Sequence, residues 1–384
     1  MTISISDSVQ ATRVFIIIFF IAVLISARRK KFSSFFPLSL TQELKGLAIL
    51  AVIFSHLGYF LISDHRFLFP LSILAGVGVN LFLFLSGYGL TNSALKNQLT
   101  VWQFYRKRLL KLFVPLWLVL ATYLVLDFFV LKITYSWQFI GKAFLGIFTS
   151  ADLFHDLNSP LWYFTLILFY YLVFPLVFFK KRPWLSATFI YLVTYIILRQ
   201  NPVWLNSIIT LYQVHLLAFP LGILAGWLFY EQTFTDIKFI RRRIWLSNLV
   251  DKFKRANLLT KLKNKIHQSI YWLIIILSLI FIAYFSYYSG VGQGINKEQM
   301  ISVITMLAII FLFSYKKIEF RLFSLFGLYS YEIYLLHWPL VYRYDFLFKN
   351  FPAWLATTLY LILFLALGWL LNKLSSIILD KIKK

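Results

Sequence analysis

The residues best suited to chemistry lie in apolar surroundings. In ELKGLAILAVIFSHLGYF, residues 43–60, Lys45 and His56 are 11 residues apart. That is about three helical turns, so both side chains leave a helix on nearly the same face. With Lys45 at the membrane surface, His56 lies roughly 16 Å deeper, near the bilayer midplane. A titratable imidazole is costly there and marks a functional site. Glu332, in FGLYSYEIYLLHWPLVY, is 11 residues from Arg321 and therefore at about the same depth. A carboxylate at that level would orient His56 as a general base and raise its basicity. The plainer alternative is a structural polar pair between helices.

Other residues stand around this pair. Arg106, Lys107, Arg108 and Lys111 in FYRKRLLKLFVPLW form a basic run suited to the phosphates of a cytosolic donor. Topology charge and lipid contact explain the same run without any ligand. Ser86 sits among the glycines of GVGVNLFLFLSGYGLTNS, where Gly76, Gly78, Gly87 and Gly89 allow close helix packing or a narrow substrate passage. His337, five residues after Glu332, points about 140° away from it and nearer the outer surface, where it could meet an acceptor. His215 reads as a helix–helix hydrogen bonder, and His65, His155 and His267 as loop residues. Trp162 and Tyr163 read as an aromatic belt. Without cysteine there is no disulfide, thiolate nucleophile or metal–thiolate site, and no metal site is expected.

The elements that must position these residues follow from composition. Of 384 residues, 60% are hydrophobic and 14% charged. Apolar runs of roughly 18 to 25 residues recur, the length that crosses a bilayer as a helix. The fold class is all-α and polytopic, with about 11 spans near 12–27, 44–63, 71–94, 112–131, 161–179, 184–198, 207–230, 270–289, 299–315, 322–341 and 353–371. The net charge of +24 is distributed as a topology signal. Thirty of the 38 Lys and Arg fall in 28–45, 96–111, 180–182, 231–269, 316–321 and 373–384. The positive-inside rule then places the N-terminus outside and the C-terminus inside. Anionic lipid is a secondary partner of this charge; nucleic acid is not a partner.

The first span reads as an uncleaved anchor, because its basic residues follow the apolar core rather than precede it. Residues 1–41 are this anchor and a basic linker, and 42–384 the membrane domain. The basic stretch 231–269 alternates apolar residues in SNLVDKFKRANLL, consistent with an amphipathic helix on the inner leaflet or a solvated loop. The outside loop 132–160 carries Trp137, Phe144, Asp152, His155 and Asp156, too aromatic for a plain linker and placed like a substrate entrance.

In order, LKGLAILAVIFSH, GVNLFLFLSGYGL with FYRKRLLKLFVPLW, LWYFTLILFYYLVFPL, and SYEIYLLHWPL give the chain its likeness. It resembles the membrane acyltransferase-3 family, bacterial enzymes that O-acylate cell-surface sugars, here as a stand-alone membrane domain of ten spans plus one N-terminal helix. The resemblance implies catalysis by His56 with Glu332 as partner, and donor binding by the basic run. Three positions depart from the family pattern: Lys45 replaces an arginine, Arg108 and Lys111 replace an arginine pair, and Asn80 replaces an aspartate. Lysine keeps the charge but not bidentate phosphate binding.

The expected function is transfer of an acyl group, acetyl first among them, from acyl-CoA to a hydroxyl of an exported polysaccharide or glycolipid at the plasma membrane. Acetyl-CoA is then a substrate, and no cofactor is tightly bound. His56 acts as base or nucleophile, Glu332 orients it, and Arg106, Arg108 and Lys111 hold the phosphates. Lys45 lines the donor entrance, while Asn80, Ser86 and His337 lie along the substrate path. Two other readings share the span pattern: a transporter or flippase for a lipid-linked sugar, with His56 and Glu332 as a proton relay, and a non-catalytic subunit of an export complex.

Overall fold

The structure, a computed structural model, describes residues 3–30, 36–97, 100–205, 207–230, 257–289 and 294–383, with side chains described except at 257–267 and 383. Helix α1 (Ser8–Ile25) leads into a short strand, β1 (Ala27–Arg29). Helix α2 (Leu38–Ser55) continues into a wider π-helical turn, His56–Leu61. Next come α3 (Ala75–Lys96), α4 (Val101–Leu126), α5 (Trp137–Phe144), α6 (Trp162–Val173), α7 (Pro183–Arg199), α8 (Ile209–Val214) and α9 (218–230). After α10 (Asn257–Tyr287) and α11 (Ile295–Tyr315) comes strand β2 (Ile318–Phe320). Helices α12 (Arg321–Leu328), α13 (Ser330–Tyr342), α14 (Leu347–Asn350) and α15 (Ala353–Lys383) close the chain.

The hub is α2. Its run LAILAVIF is apolar on all sides, so it is stable only where every face is covered by protein or lipid. Within its span 72% of residues are buried, against none in the α10 span, so α2 is the interior helix and α10 lines the periphery. Small residues admit the neighbours. A methyl group on Gly46 would sit 1.7 Å from the Phe323 carbonyl oxygen of α12, and one on Gly327 equally close to that of Gln42. The two glycines face each other across a backbone-to-backbone contact that no side chain can enter. Gly78 of α3 packs against the Ala48 carbonyl, and Gly87 and Gly222 lock α3 onto α9. Gly89 faces open space. The glycines of 76–93 thus serve mainly packing.

A polar clip fastens the basic linker at one end of α2. Strands β1 and β2 pair antiparallel, Arg28 opposite Glu319, with their side chains 2.6 Å apart. The Lys30 ammonium donates to the Phe313 carbonyl at 3.1 Å. Fully buried Glu43 is ion-paired with Lys316 and accepts the Phe320 amide at 2.8 Å. Burial lowers the pKa of Lys316, and Glu43 opposes that shift. Phe15 of α1 meets Phe54 of α2 edge-on, ring centroids 5.5 Å apart.

Among the described residues, eight helices are long and apolar enough to cross a membrane. The protein is a multi-pass, all-α membrane protein. Three of the eleven expected spans take other forms. The 71–94 segment is a full helix, but its glycines, Asn80 and Ser86 dilute its hydropathy. The 184–198 segment is a shorter helix of 17 residues. The 322–341 segment is broken at Tyr329 (φ −108°, ψ 17°) into α12 and α13. Most of the stretch expected as an amphipathic helix, 231–256, lies outside the described residues; from Asn257 the chain belongs to α10.

Gly327→Ala should lower the melting temperature in detergent by the equivalent of at least about 1–3 kcal/mol, because the clash is with backbone. An unchanged melting temperature would contradict the contact.

Candidate active site

Helix α13 crosses the end of α2 where the latter widens. His56 opens the π-helical turn, a local widening common at functional positions, and its Nδ1 lies 2.7 Å from Nε2 of His337. The ring planes agree within 5° and the centroids are 4.9 Å apart. At that separation the rings lie edge to edge in one plane, and the N–H of one points along the lone pair of the other. His337 Nδ1 lies 2.9 Å from the Tyr334 carbonyl and 3.1 Å from that of Ile333. A carbonyl only accepts, so Nδ1 of His337 carries a proton. In the neutral ring Nε2 is then the acceptor, and His56 donates from its own Nδ1. The lone pair of His56 is therefore left on Nε2.

The pair is packed among apolar side chains, Ile53, Leu57, Leu61, Trp338, Val341 and Phe364, around a void too narrow for a water molecule. Trp338 stands edge-on to His56 at 5.0 Å, and its indole nitrogen is buried without a partner. His337 is buried, whereas His56 remains partly accessible. A second histidine, not a carboxylate, orients the first.

The expected contact between His56 and Glu332 does not form. Glu332 accepts a hydrogen bond from Asn372 of α15 at 2.7 Å and lies within electrostatic reach of Lys45. The depth count took 321–341 as one straight helix, and the break at Tyr329 invalidates it. Glu332 falls in the first turn of α13, level with Lys45. His337, five residues on, is about 7.5 Å further along the axis and is the residue that meets His56.

The basic residues divide. Half-buried Lys45 lies within electrostatic reach of both Glu332 and Arg108. Arg108 is half-buried, with Nε enclosed and without a hydrogen-bond partner. Arg106 and Lys111 lie on outward faces of α4. Arg106 reaches the Ile382 carbonyl near the end of α15 at 3.5 Å. The structure thus assembles Lys45, Arg108 and Glu332 and leaves Arg106 and Lys111 at the rim.

Between this cluster and the histidines runs a row of hydroxyl groups. Tyr171 lies near Arg108, and Ser86 stands beside both Tyr171 and Tyr163. Tyr163 packs edge-on against Tyr334, ring centroids 5.6 Å apart, and the Tyr334 carbonyl holds His337. Ser86 was singled out in the sequence; the tyrosines were not, because Tyr163 beside Trp162 resembles an interfacial belt. The signal that could have found them is the eight-residue spacing of Tyr163 and Tyr171, which places them about 80° apart on the same side of one helix.

Asn80 has a different place. It is fully buried, donates Nδ2 to Ser302 Oγ at 2.9 Å and accepts from His215 Nδ1 at 2.8 Å. This knot joins α3, α11 and the turn after α8, so every polar atom that Asn80 offers at these contacts is already used. His215 is the interhelical hydrogen bonder that its position suggested.

A multi-pass bundle with a hydrogen-bonded histidine pair inside it and a mixed-charge cluster at one end defines a membrane protein equipped for acid–base or nucleophilic chemistry. A sequence model described as an acyltransferase domain, Acyl_transf_3, matches residues 44–373, and the chain belongs to the acyltransferase-3 family. It is a membrane acyltransferase. No curated protein and no solved structure matches the chain.

Asn80→Ala should destabilise the protein by about 1–3 kcal/mol, because it strands buried His215 without its partner. Thermal melting in detergent measures this. Full stability in that variant would contradict the structural role.

Proposed function

We propose that the protein transfers an acyl group, acetyl in the simplest case, from cytosolic acyl-CoA to a hydroxyl of a cell-surface or exported polysaccharide or glycolipid. The observation that carries this reading is the His56–His337 hydrogen bond, which leaves the lone pair of His56 on Nε2 in apolar surroundings. With eleven crossings and the N-terminus outside, Lys45 and the basic run face the cytosol in the plasma membrane. Acyl-CoA is bound there as a substrate, and no cofactor is held between turnovers.

Arg108, with its unpartnered Nε, and Lys45 receive the donor, and Arg106 and Lys111 steer its phosphates at the rim. The row of Tyr171, Ser86 and Tyr163 provides hydroxyl contacts along the way to the histidines. In the direct route, His56 Nε2 takes the proton of the acceptor hydroxyl as its oxygen attacks the thioester carbonyl. The C–S bond then breaks, and the imidazolium returns the proton to the departing thiolate. In the two-step route, Nε2 attacks the thioester carbonyl and the C–S bond breaks, releasing the CoA thiolate. The acceptor oxygen then attacks the acyl-imidazole, the C–N bond breaks, and the hydroxyl proton passes to the freed Nε2 and on to the thiolate. In both, His337 shares the positive charge that develops on His56, and the carbonyls of Ile333 and Tyr334 hold the His337 proton.

Glu332 acts at the donor end. Its carboxylate offsets the charges of Lys45 and Arg108 and keeps Lys45 from closing over the entrance.

Mass spectrometry of surface glycans tests the reading in cells carrying the intact gene, a deletion, or His56→Ala. Ester-linked acyl groups should vanish in both altered strains while the variant stays at its normal level in the membrane, and their mass identifies the group. Unchanged acylation with glycan trapped inside the cell would refute acyl transfer and favour transport.

A further inference from the structure

Away from the histidine pair, a cavity of about 220 Å³ lies between α5 and the segment 147–161. Its wall includes Gln138, Phe139 and Lys142 of α5, with Phe148, Asp156 and Asn158 opposite. Asn158 is only 4% exposed. Its Nδ2 donates to the Leu335 carbonyl of α13 at 2.8 Å, while its buried Oδ1 has no partner. An acceptor oxygen is thus fixed in place and left unpaired, and a buried group of that kind is expensive unless something satisfies it.

The surrounding segment is firmly held. Arg343, at the end of α13, donates to the Asp156 carbonyl at 2.8 Å and is ion-paired with buried Asp127. Tyr135 and Tyr344 also donate to the Asp127 carboxylate. The Asp156 side chain accepts the Asp152 amide at 2.8 Å, and burial raises its pKa above the ordinary carboxylate range. This framework is tied to the helix that carries His337, since Asn158 donates to the Leu335 carbonyl, two residues before His337 and about 200° around the helix from it.

The lining combines a carboxylate and an unpaired amide oxygen, which accept hydrogen bonds, with an ammonium and a side-chain amide, which donate them. Two phenyl rings stand between. That set matches a ring bearing several hydroxyl groups and an apolar C–H face. It does not match a phosphate, which Asp156 would repel, or an acyl chain, which leaves the polar groups unpaired. The volume is below the roughly 300–1,000 Å³ of sites for drug-sized ligands, so it suits a single ring.

We propose that this cavity is a subsite for one sugar ring of the acceptor, with Asp156 and Asn158 accepting from ring hydroxyls and Lys142 and Gln138 donating to them. The identification of the ring as part of the acceptor rests on the acyl-transfer reading; the binding itself does not. The subsite holds the acceptor against α13, the helix that carries His337.

Saturation-transfer NMR on the full chain in lipid nanodiscs tests it, with methyl glycosides of several hexoses as probes and 1,6-hexanediol as the control. At least one glycoside should bind saturably and the diol should not. Asp156→Asn should weaken that binding about tenfold or more, as loss of a charge-assisted hydrogen bond does. Gln138 and Lys142 are exposed, so Gln138→Ala and Lys142→Ala test the site without threatening the fold and should each weaken binding several-fold. His56→Ala should bind like the wild type. No saturable glycoside binding, or binding untouched by Gln138→Ala and Lys142→Ala, would overturn the subsite. If the cavity variants lose binding but the wild type transfers no acyl group, the subsite stands and acyl transfer falls. If acyl transfer proceeds with the acceptor KM unaltered in all three cavity variants, the subsite falls and acyl transfer stands.

Discussion

Gly46 and Gly327 let the backbones of α2 and α12 touch, and the placement of the site depends on that contact. A methyl group on either glycine would overlap a carbonyl oxygen of the facing helix. The membrane supplies no hydrophobic drive to bring two apolar helices together, so close packing of small residues and polar contacts must do it. Once α12 is seated on α2, the chain turns at Tyr329 and α13 leaves at a new angle. It then passes the C-terminal end of α2, and His337 meets His56. The ion pair of Glu43 with Lys316 and the β1–β2 clip hold the same junction from its other end.

Using histidine rather than carboxylate to orient histidine has a physical rationale at this depth. A carboxylate beside His56 would have to lose its hydration among apolar side chains, and that penalty often exceeds what the pairing returns. A neutral imidazole can be buried with a far smaller penalty, provided its own N–H finds an acceptor. Ile333 and Tyr334 provide that acceptor from the helix backbone. Glu332 instead sits where cationic groups and Asn372 accompany it. The arrangement separates two kinds of group along one helix: charged side chains near one end, and a hydrogen-bonded imidazole in the interior.

Much of this was legible in the sequence. The class followed from apolar runs and the distribution of basic residues, and His56 stood out because an imidazole in ELKGLAILAVIFSHLGYF has no cheap explanation. The family resemblance rested on four ordered segments that the matching domain covers. What escaped was the relation between segments. Depth counting presumed that 322–341 was one helix, and nothing local in LFGLYSYE announces a break at Tyr329 except a single glycine. The error moved Glu332 to the wrong level and turned His337 away from His56, which it in fact meets. Asn80 looked like a residue of the substrate path because its partners, Ser302 and His215, are more than a hundred residues away in the chain. The ion pair of Asp127 with Arg343 was invisible for the same reason.

The central claim is that His337, not Glu332, orients the base. Rates of labelled acetyl transfer from acetyl-CoA, measured on purified protein in nanodiscs for His337→Ala beside Glu332→Gln, decide it most directly. The account predicts that His337→Ala loses roughly 10²–10⁴-fold in kcat, the usual contribution of a positioned acid–base group. Glu332→Gln should act mainly by raising the KM for acetyl-CoA. Full kcat in His337→Ala, with kcat abolished and KM unchanged in Glu332→Gln, would contradict it.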